Sequence, residues 1–162
     1  SVVDPVNNPK TAQPTATPDV SQNIVKMSKP LDGEILIGFA ANKLVYSKTT
    51  KDWRTHPAID IAGEPGADVK CAYAGTVADI KNDPIYGLVV IVDHGNDLKS
   101  VYSGLTISAD ITEGSTVSAG DVLGKLGNEL FAEKADGSHL HFEVIQNGKK
   151  VDPGLFFDSD EQ

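Results

Sequence analysis

Three of the chain's four histidines fall in two short runs, and those runs hold the residue types best suited to chemistry. The first is DGSHLHFEV, Asp136 to Val144. Side chains two residues apart on a strand share a face. His139, His141 and Glu143 therefore point one way, and Leu140, Phe142 and Val144 the other. The apolar set belongs in a core, which turns both imidazoles towards a surface or a cleft. The second run is WRTHPAIDIA, Trp53 to Ala62, with His56 and Asp60 four residues apart. A loop that bends at Pro57 and enters a strand brings that imidazole beside that carboxylate. Imidazole nitrogens and carboxylate oxygens that converge on one point at about 2.0–2.2 Å make a metal site. Together the runs offer a metal two imidazoles and one carboxylate, with one imidazole to spare. Two positions along a strand are roughly 6.6 Å apart. If one histidine of His-Leu-His ligates, the other is placed to hydrogen-bond the reacting water. Three protein ligands with an open fourth position is the catalytic rather than the structural zinc arrangement.

The elements that must hold these residues are short and β-rich. From Pro30 onwards, apolar runs are separated by Gly, Pro, Asn and Asp, and strands are expected near EILIGF, KLVYS, AIDIA, ADVKCAY, GTVADIK, LVVIVDH, KSVYSGL, STVSA, VLGKLG and HLHFEVI. LVVIV is apolar at consecutive positions, as in a strand covered on both faces. DHGND (Asp93 to Asp97) and QNGKK (Gln146 to Lys150) read as hairpin turns, because Asn-Gly and Gly-rich pairs accept positive φ. The only helix candidate is a short one around NELFAEK. The fold class is all-β, a sandwich or open barrel of many short antiparallel strands. His94, at the DHGND turn, is expected to hydrogen-bond backbone, and Cys71 to be a small buried hydrophobe.

Residues 1–29 carry four prolines with Thr, Asn and Gln and no apolar period. Such a composition buries too little to offset its ordering entropy. They read as a flexible linker or stalk, with an ordered piece expected at most around Ile24 to Met27. Residues 30–157 form the domain and 158–162 a tail. A net charge of −9 and a pI near 4.7 argue against nucleic acid and anionic lipid as partners. The single cysteine excludes an intrachain disulfide.

HPAID followed by SHLHFEV resembles the H-x-x-x-D and H-x-H motifs of the M23 zinc metallopeptidases. These are the lysostaphin- and LytM-like enzymes that cut peptide cross-links in bacterial peptidoglycan. The likeness runs over roughly Trp53 to Pro153, through GTVADI, YGLVVIVDHGN, ITEGSTVSAGDVLGKLG and NGKKVDP. It implies a lysostaphin/LytM-type fold and one Zn2+ per chain, held by His56, Asp60 and His141. It also implies His139 as the catalytic imidazole that orients or deprotonates the attacking water. One departure matters. The family's Y-x-H-L is here YSGL, Tyr102 to Leu105, so Gly104 stands where a second catalytic histidine belongs. Ala58 also replaces a more usual glycine.

That loss, with LVYSKT upstream of DWRTH, is similar to the sporulation branch of the family, the stage II sporulation protein Q-like members. The branch implies the extracytoplasmic part of a bacterial cell-envelope protein, anchored in the membrane through a segment before Ser1. It also implies a membrane-anchored sporulation partner at the engulfing septum. Two functions stay open: an endopeptidase acting on peptidoglycan peptides, and a zinc-retaining scaffold or binding module. Two residues stay open as well. Tyr102 either packs in the core or lines the cleft, and Glu143 either hydrogen-bonds a ligand ring or is solvated.

Overall fold

A computed structural model of the protein describes residues 24–128 and 131–158. In chain order the strands are β1 (Ile35–Ile37), β2 (Ala40–Ser47), β3 (Asp52–His56), β4 (Ile59–Ala62), β5 (Asp68–Lys70) and β6 (Gly75–Asp83). β7 (Gly87–Gly95), β8 (Leu98–Ser108), β9 (Thr116–Val117), β10 (Val122–Leu126), β11 (His139–Gln146) and β12 (Lys149–Val151) follow. Ten of them form one antiparallel sheet whose main path runs β1-β4-β11-β8-β7-β6-β9. β12 pairs with β11, and β10 joins β8 to β5. The hairpin β2-β3 stands apart as a second, two-stranded sheet. The fold is all-β, of the lysostaphin/LytM type.

β11 is central because its alternation suits both of its surroundings. Leu140, Phe142 and Val144 are fully buried and meet Val90, Val92, Ile61 and Leu126 in one apolar core. The expected turns form where the sequence places them. Gly95, Asn96 and Asp97 all take positive φ between β7 and β8, and Asn147 and Gly148 do so between β11 and β12. His94 bridges the Ala74 carbonyl, at 2.9 Å from Nδ1, and Ser100 Oγ, at 2.7 Å from Nε2. Cys71 is buried and donates to the Tyr73 carbonyl.

Two features differ from the sequence reading, and one choice it left open is decided. Asp52–His56 is not a loop but a strand paired with β2. The helix candidate is a 3₁₀ segment, Phe131–Asp136, broken at Glu133 (φ −134°, ψ 30°). Tyr102 does not line the cleft. It pairs with Phe142, on the core side of the sheet, and its ring lies 5.2 Å from that ring. Its hydroxyl accepts from the Ala72 N–H at 2.8 Å and from Ser100 Oγ at 2.9 Å. Most of the expected stalk, residues 1–23, lies outside the described residues, as do 159–162 of the tail. Ahead of Pro30, Met27 is buried and its N–H donates to the Phe156 carbonyl at 2.7 Å.

Candidate metal centre

The register of two strands builds the centre. β4 and β11 run antiparallel with His141 opposite Asp60, so residues far apart in sequence become neighbours. His141 Nδ1 lies 2.9 Å from Asp60 Oδ1. His56 closes β3 immediately before Pro57, and its Nε2 lies 3.1 Å from Asp60 Oδ2. These last two atoms are buried and neither has a hydrogen-bond partner, although they are that close. They are adjacent but aimed past one another. A buried carboxylate oxygen left unpaired costs about 1–3 kcal/mol or more. A cation held by both atoms would remove that cost, so the donor set fits a metal ion.

The outer atoms of the rings fix their orientation. His56 Nδ1 donates to the Gly38 carbonyl at 3.2 Å, leaving the Nε2 lone pair to face inwards. His141 Nε2 lies 3.2 Å from Glu143 Oε1, and Lys150 holds that carboxylate at 3.1 Å. A carboxylate behind an imidazole sets its tautomer and raises its basicity as a ligand. Glu143 therefore hydrogen-bonds a ring of the centre and is not a solvated strand residue.

Glu133 completes the cluster, and the sequence reading did not single it out. Its Oε1 lies 3.5 Å from His56 Nε2. Its Oε2 lies 3.4 Å from His141 Nδ1 and 2.9 Å from His139 Nε2. Donor atoms of His56, Asp60, Glu133 and His141 all lie within 4.8 Å of one another. The available signal was weak: an acidic residue in NELFAEK, six positions before His139. His139 shares the face of His141 but sits slightly aside, with Nδ1 2.7 Å from the Gly137 carbonyl and Nε2 3.8 Å from Asp60 Oδ2.

The electrostatics follow from crowding acids and imidazoles out of water. Burial alone would lower the pKa of His56, but the carboxylates of Asp60 and Glu133 outweigh it and raise it to about 9. His139 and His141 are raised against burial in the same way, His139 chiefly by Glu133 and His141 chiefly by Asp60. Burial would raise the carboxyls of Asp60 and Glu133, yet the imidazoles beside them hold both below the usual range. Because a metal takes neutral imidazoles and ionised carboxylates, its binding here competes with protons on the rings.

The centre opens into a cleft of about 120 Å³ walled by Tyr46, Arg54, Tyr86 and Glu143. The Tyr86 ring lies 5.4 Å from that of His141, a contact the sequence did not announce. Tyr46 and Trp53, paired across the β2-β3 hairpin, stack edge to face at 5.6 Å and are both exposed.

Residues 54–153 match peptidase family M23, which covers both halves of the centre and the strands that join them. The chain belongs to peptidase family M23. It is 36% identical over 102 residues to stage II sporulation protein Q of Bacillus subtilis, covering 62% of this chain and 35% of that protein. It is 29% identical over 136 residues to the DD-carboxypeptidase/endopeptidase Mpg of Neisseria meningitidis, covering 75% of this chain and 30% of that one. The chain thus spans about a third of the length of these relatives. Among solved structures, the SpoIIQ-SpoIIIAH pore-forming complex contains a chain of the same fold, with a TM-score of 0.71 at 24% identity, covering 83% of this chain and 92% of that chain.

Within the M23 domain, Gly104 is more than a missing side chain. Its φ is +99°, in the region that favours glycine. It occupies a bulge of β8, since Leu88 pairs with Leu105 but the next residue, Val89, pairs with Ser103. Its carbonyl accepts from the Gly127 N–H at 2.7 Å, and a Cβ on Gly127 would lie only 2.9 Å from that oxygen.

Proposed function

We propose that this M23 domain binds one zinc ion through His56, Asp60 and His141 and acts, weakly, on the peptide cross-links of bacterial peptidoglycan from the extracytoplasmic side. The observation that carries the reading is the pair of buried, unpartnered atoms, His56 Nε2 and Asp60 Oδ2, beside His141 Nδ1. When bound there, zinc supplies Lewis acidity, polarising a carbonyl and making water a better nucleophile. His139 then serves as the proton-handling imidazole, a role worth roughly 10²–10⁴ in rate. Its Nδ1 is fixed on the Gly137 carbonyl, which aims Nε2 into the centre. Tyr46, Arg54 and Tyr86 offer an extended peptide a wall beside the reacting bond.

A second reading is favoured by Gly104, whose backbone leaves no side chain where the family carries its other catalytic histidine. In it the domain keeps zinc but serves as a scaffold in a cell-envelope or sporulation complex, bound to a membrane-anchored partner. The likeness to stage II sporulation protein Q and to the fold seen in the SpoIIQ-SpoIIIAH complex supports this.

Elemental analysis of protein purified without added metal tests the zinc site, and one zinc per chain is expected. His141→Ala should abolish binding and His139→Ala should leave most of it. A metal content near zero that added zinc does not raise would overturn both readings. Digestion of purified peptidoglycan with and without a chelator, read by the masses of released peptides, separates the two. Chelator-sensitive release supports the peptidase. Intact zinc with no product supports the scaffold.

A further inference from the structure

We infer that Glu133 is a fourth protein ligand of the metal centre, closing the position at which a reacting water would bind. This rests on the zinc reading of the same site, and between the two functions proposed for it favours the scaffold over the peptidase.

Distances carry the inference. Ligands held tetrahedrally at about 2.0–2.2 Å stand roughly 3.3–3.6 Å from one another. Asp60 lies 3.1 Å from His56 and 2.9 Å from His141. Glu133 lies 3.5 Å from His56 and 3.4 Å from His141. The glutamate thus stands about one tetrahedral edge from the same two nitrogens that Asp60 adjoins at shorter range, one oxygen towards each. A carboxylate acting instead as a base through an intervening water would sit a further hydrogen-bond length away, because each such link adds roughly 2.7–3.0 Å. No space for that water separates Glu133 from the two rings.

Charge balance points the same way. Zn2+ with one aspartate and two neutral imidazoles leaves a net positive charge beside the fully buried Asp60. A second carboxylate makes the centre neutral, which lowers the cost of burying it. Glu133 also engages the one imidazole outside the ligand set, since its Oε2 lies 2.9 Å from His139 Nε2. A single side chain therefore fills the water's position and occupies the nitrogen that would take its proton. The backbone is shaped for this. The 3₁₀ segment breaks at Glu133, whose side chain meets the three imidazoles, and the Ala135 N–H donates to Thr49 Oγ1 at 3.0 Å, tying the segment to the turn between β2 and β3.

The test uses the whole chain as wild type, Glu133→Ala and the nearly isosteric Glu133→Gln, with melting curves to show that each is folded. Each is titrated with Zn2+ against a competing chelator and, separately, loaded with Co2+ and read by visible absorption. The wild type should give the intense spectrum of four-coordinate cobalt, unmoved by acetohydroxamate. Glu133→Ala should bind Zn2+ at least about 10–100-fold more weakly, the loss known for merely outer partners of ligands. Its cobalt spectrum should change and respond to acetohydroxamate, which can enter the opened position. Glu133→Gln should weaken the metal in the same direction, keeping the test available if the alanine variant does not fold. Equal zinc affinity and an unchanged cobalt spectrum in both variants would overturn the inference while leaving the zinc reading intact. Loss of peptide cleavage in Glu133→Gln with an unchanged spectrum would overturn it too, making Glu133 a base. Failure of the wild type to take up either metal would overturn the inference together with the reading beneath it.

Discussion

Restoring the family's missing imidazole with Gly104→His is expected to cost stability and return no activity. From sequence alone the substitution looks like a simple repair. The structure puts Gly104 at φ +99° in a strand bulge, with its carbonyl held by the Gly127 N–H at 2.7 Å. Its Cα is also close to β7, since a Cβ on Gly87 would lie 3.8 Å from it. A residue with a Cβ forced into a sparsely populated backbone region loses about 1–3 kcal/mol. Each kcal/mol shifts the midpoint of a domain between the 100- and 150-residue classes by roughly 3–5 °C. The zinc-loaded variant should therefore melt roughly 3–15 °C below wild type. Gly104→Ala should lose nearly as much, because the strain begins at Cβ. Turnover should not rise. Relaxing the bulge moves the new ring, and about 1 Å of misplacement costs roughly a hundredfold, which cancels much of the 10²–10⁴ that a well-placed proton-handling group adds. The assays are thermal melting and muropeptide hydrolysis by wild type, Gly104→His, and Gly104→His with His139→Ala. A midpoint within about 1 °C of wild type, together with a His139-dependent gain of tenfold or more, would refute the reasoning.

Three further outcomes are expected. Met27→Ala should destabilise by about 2–5 kcal/mol, as for other buried Met truncations, whereas deleting residues 1–23 should leave the midpoint nearly unchanged; equal midpoints for both would show that the buried Met27 side chain contributes nothing to the core. Tyr102→Phe strips the Ala72 N–H of its buried acceptor and should cost about 1–3 kcal/mol in denaturant melts without altering zinc content, while a loss of zinc would show that Tyr102 reaches the centre after all. Glu143→Gln leaves His141 without its carboxylate and should weaken zinc binding by roughly 10–100-fold in a chelator competition; an unchanged affinity would mean that the ring is held by Asp60 alone.

The part of the site that lies on regular strands was legible in the sequence, because a period of two fixes which side chains share a face. His139, His141 and Glu143 fall together on β11 opposite Leu140, Phe142 and Val144, and the pairing with β4 then delivers Asp60 to His141. Hairpin turns were legible for a similar reason, since Asn-Gly carries its backbone preference with it. Three things were not. Asp52–His56 is exposed along most of its length and pairs only with β2, so it lacks the alternation of a half-buried strand. Tyr102 was ambiguous, because a Tyr ring suits a core and a cleft alike, and only the pairing partner Phe142 decides between them. Glu133 belongs to no periodic element. Its placement depends on a broken 3₁₀ segment and on contacts with three histidines of two strands, β3 and β11, none of which leaves a mark in its neighbours along the chain.

Gly104 and Glu133 bear on the same chemical step from opposite sides. Amide hydrolysis at such a centre needs an open metal position, a free imidazole to take a proton, and a donor for the developing oxyanion. Gly104 withdraws a donor and replaces it with a backbone conformation that resists having one. Glu133 stands against His56, His141 and His139 together, where the open position and the free imidazole would be. Beside them, the outer contacts that hold His56 and His141 in place, to Gly38, Glu143 and Lys150, are all made. A centre whose ligand geometry is kept while its reactive positions are filled is what a metal needed for shape, rather than for turnover, requires. If zinc binds as proposed, the stability it lends the domain, more than any hydrolytic rate, is the property that substitutions of His56, Asp60, Glu133 and His141 should change most.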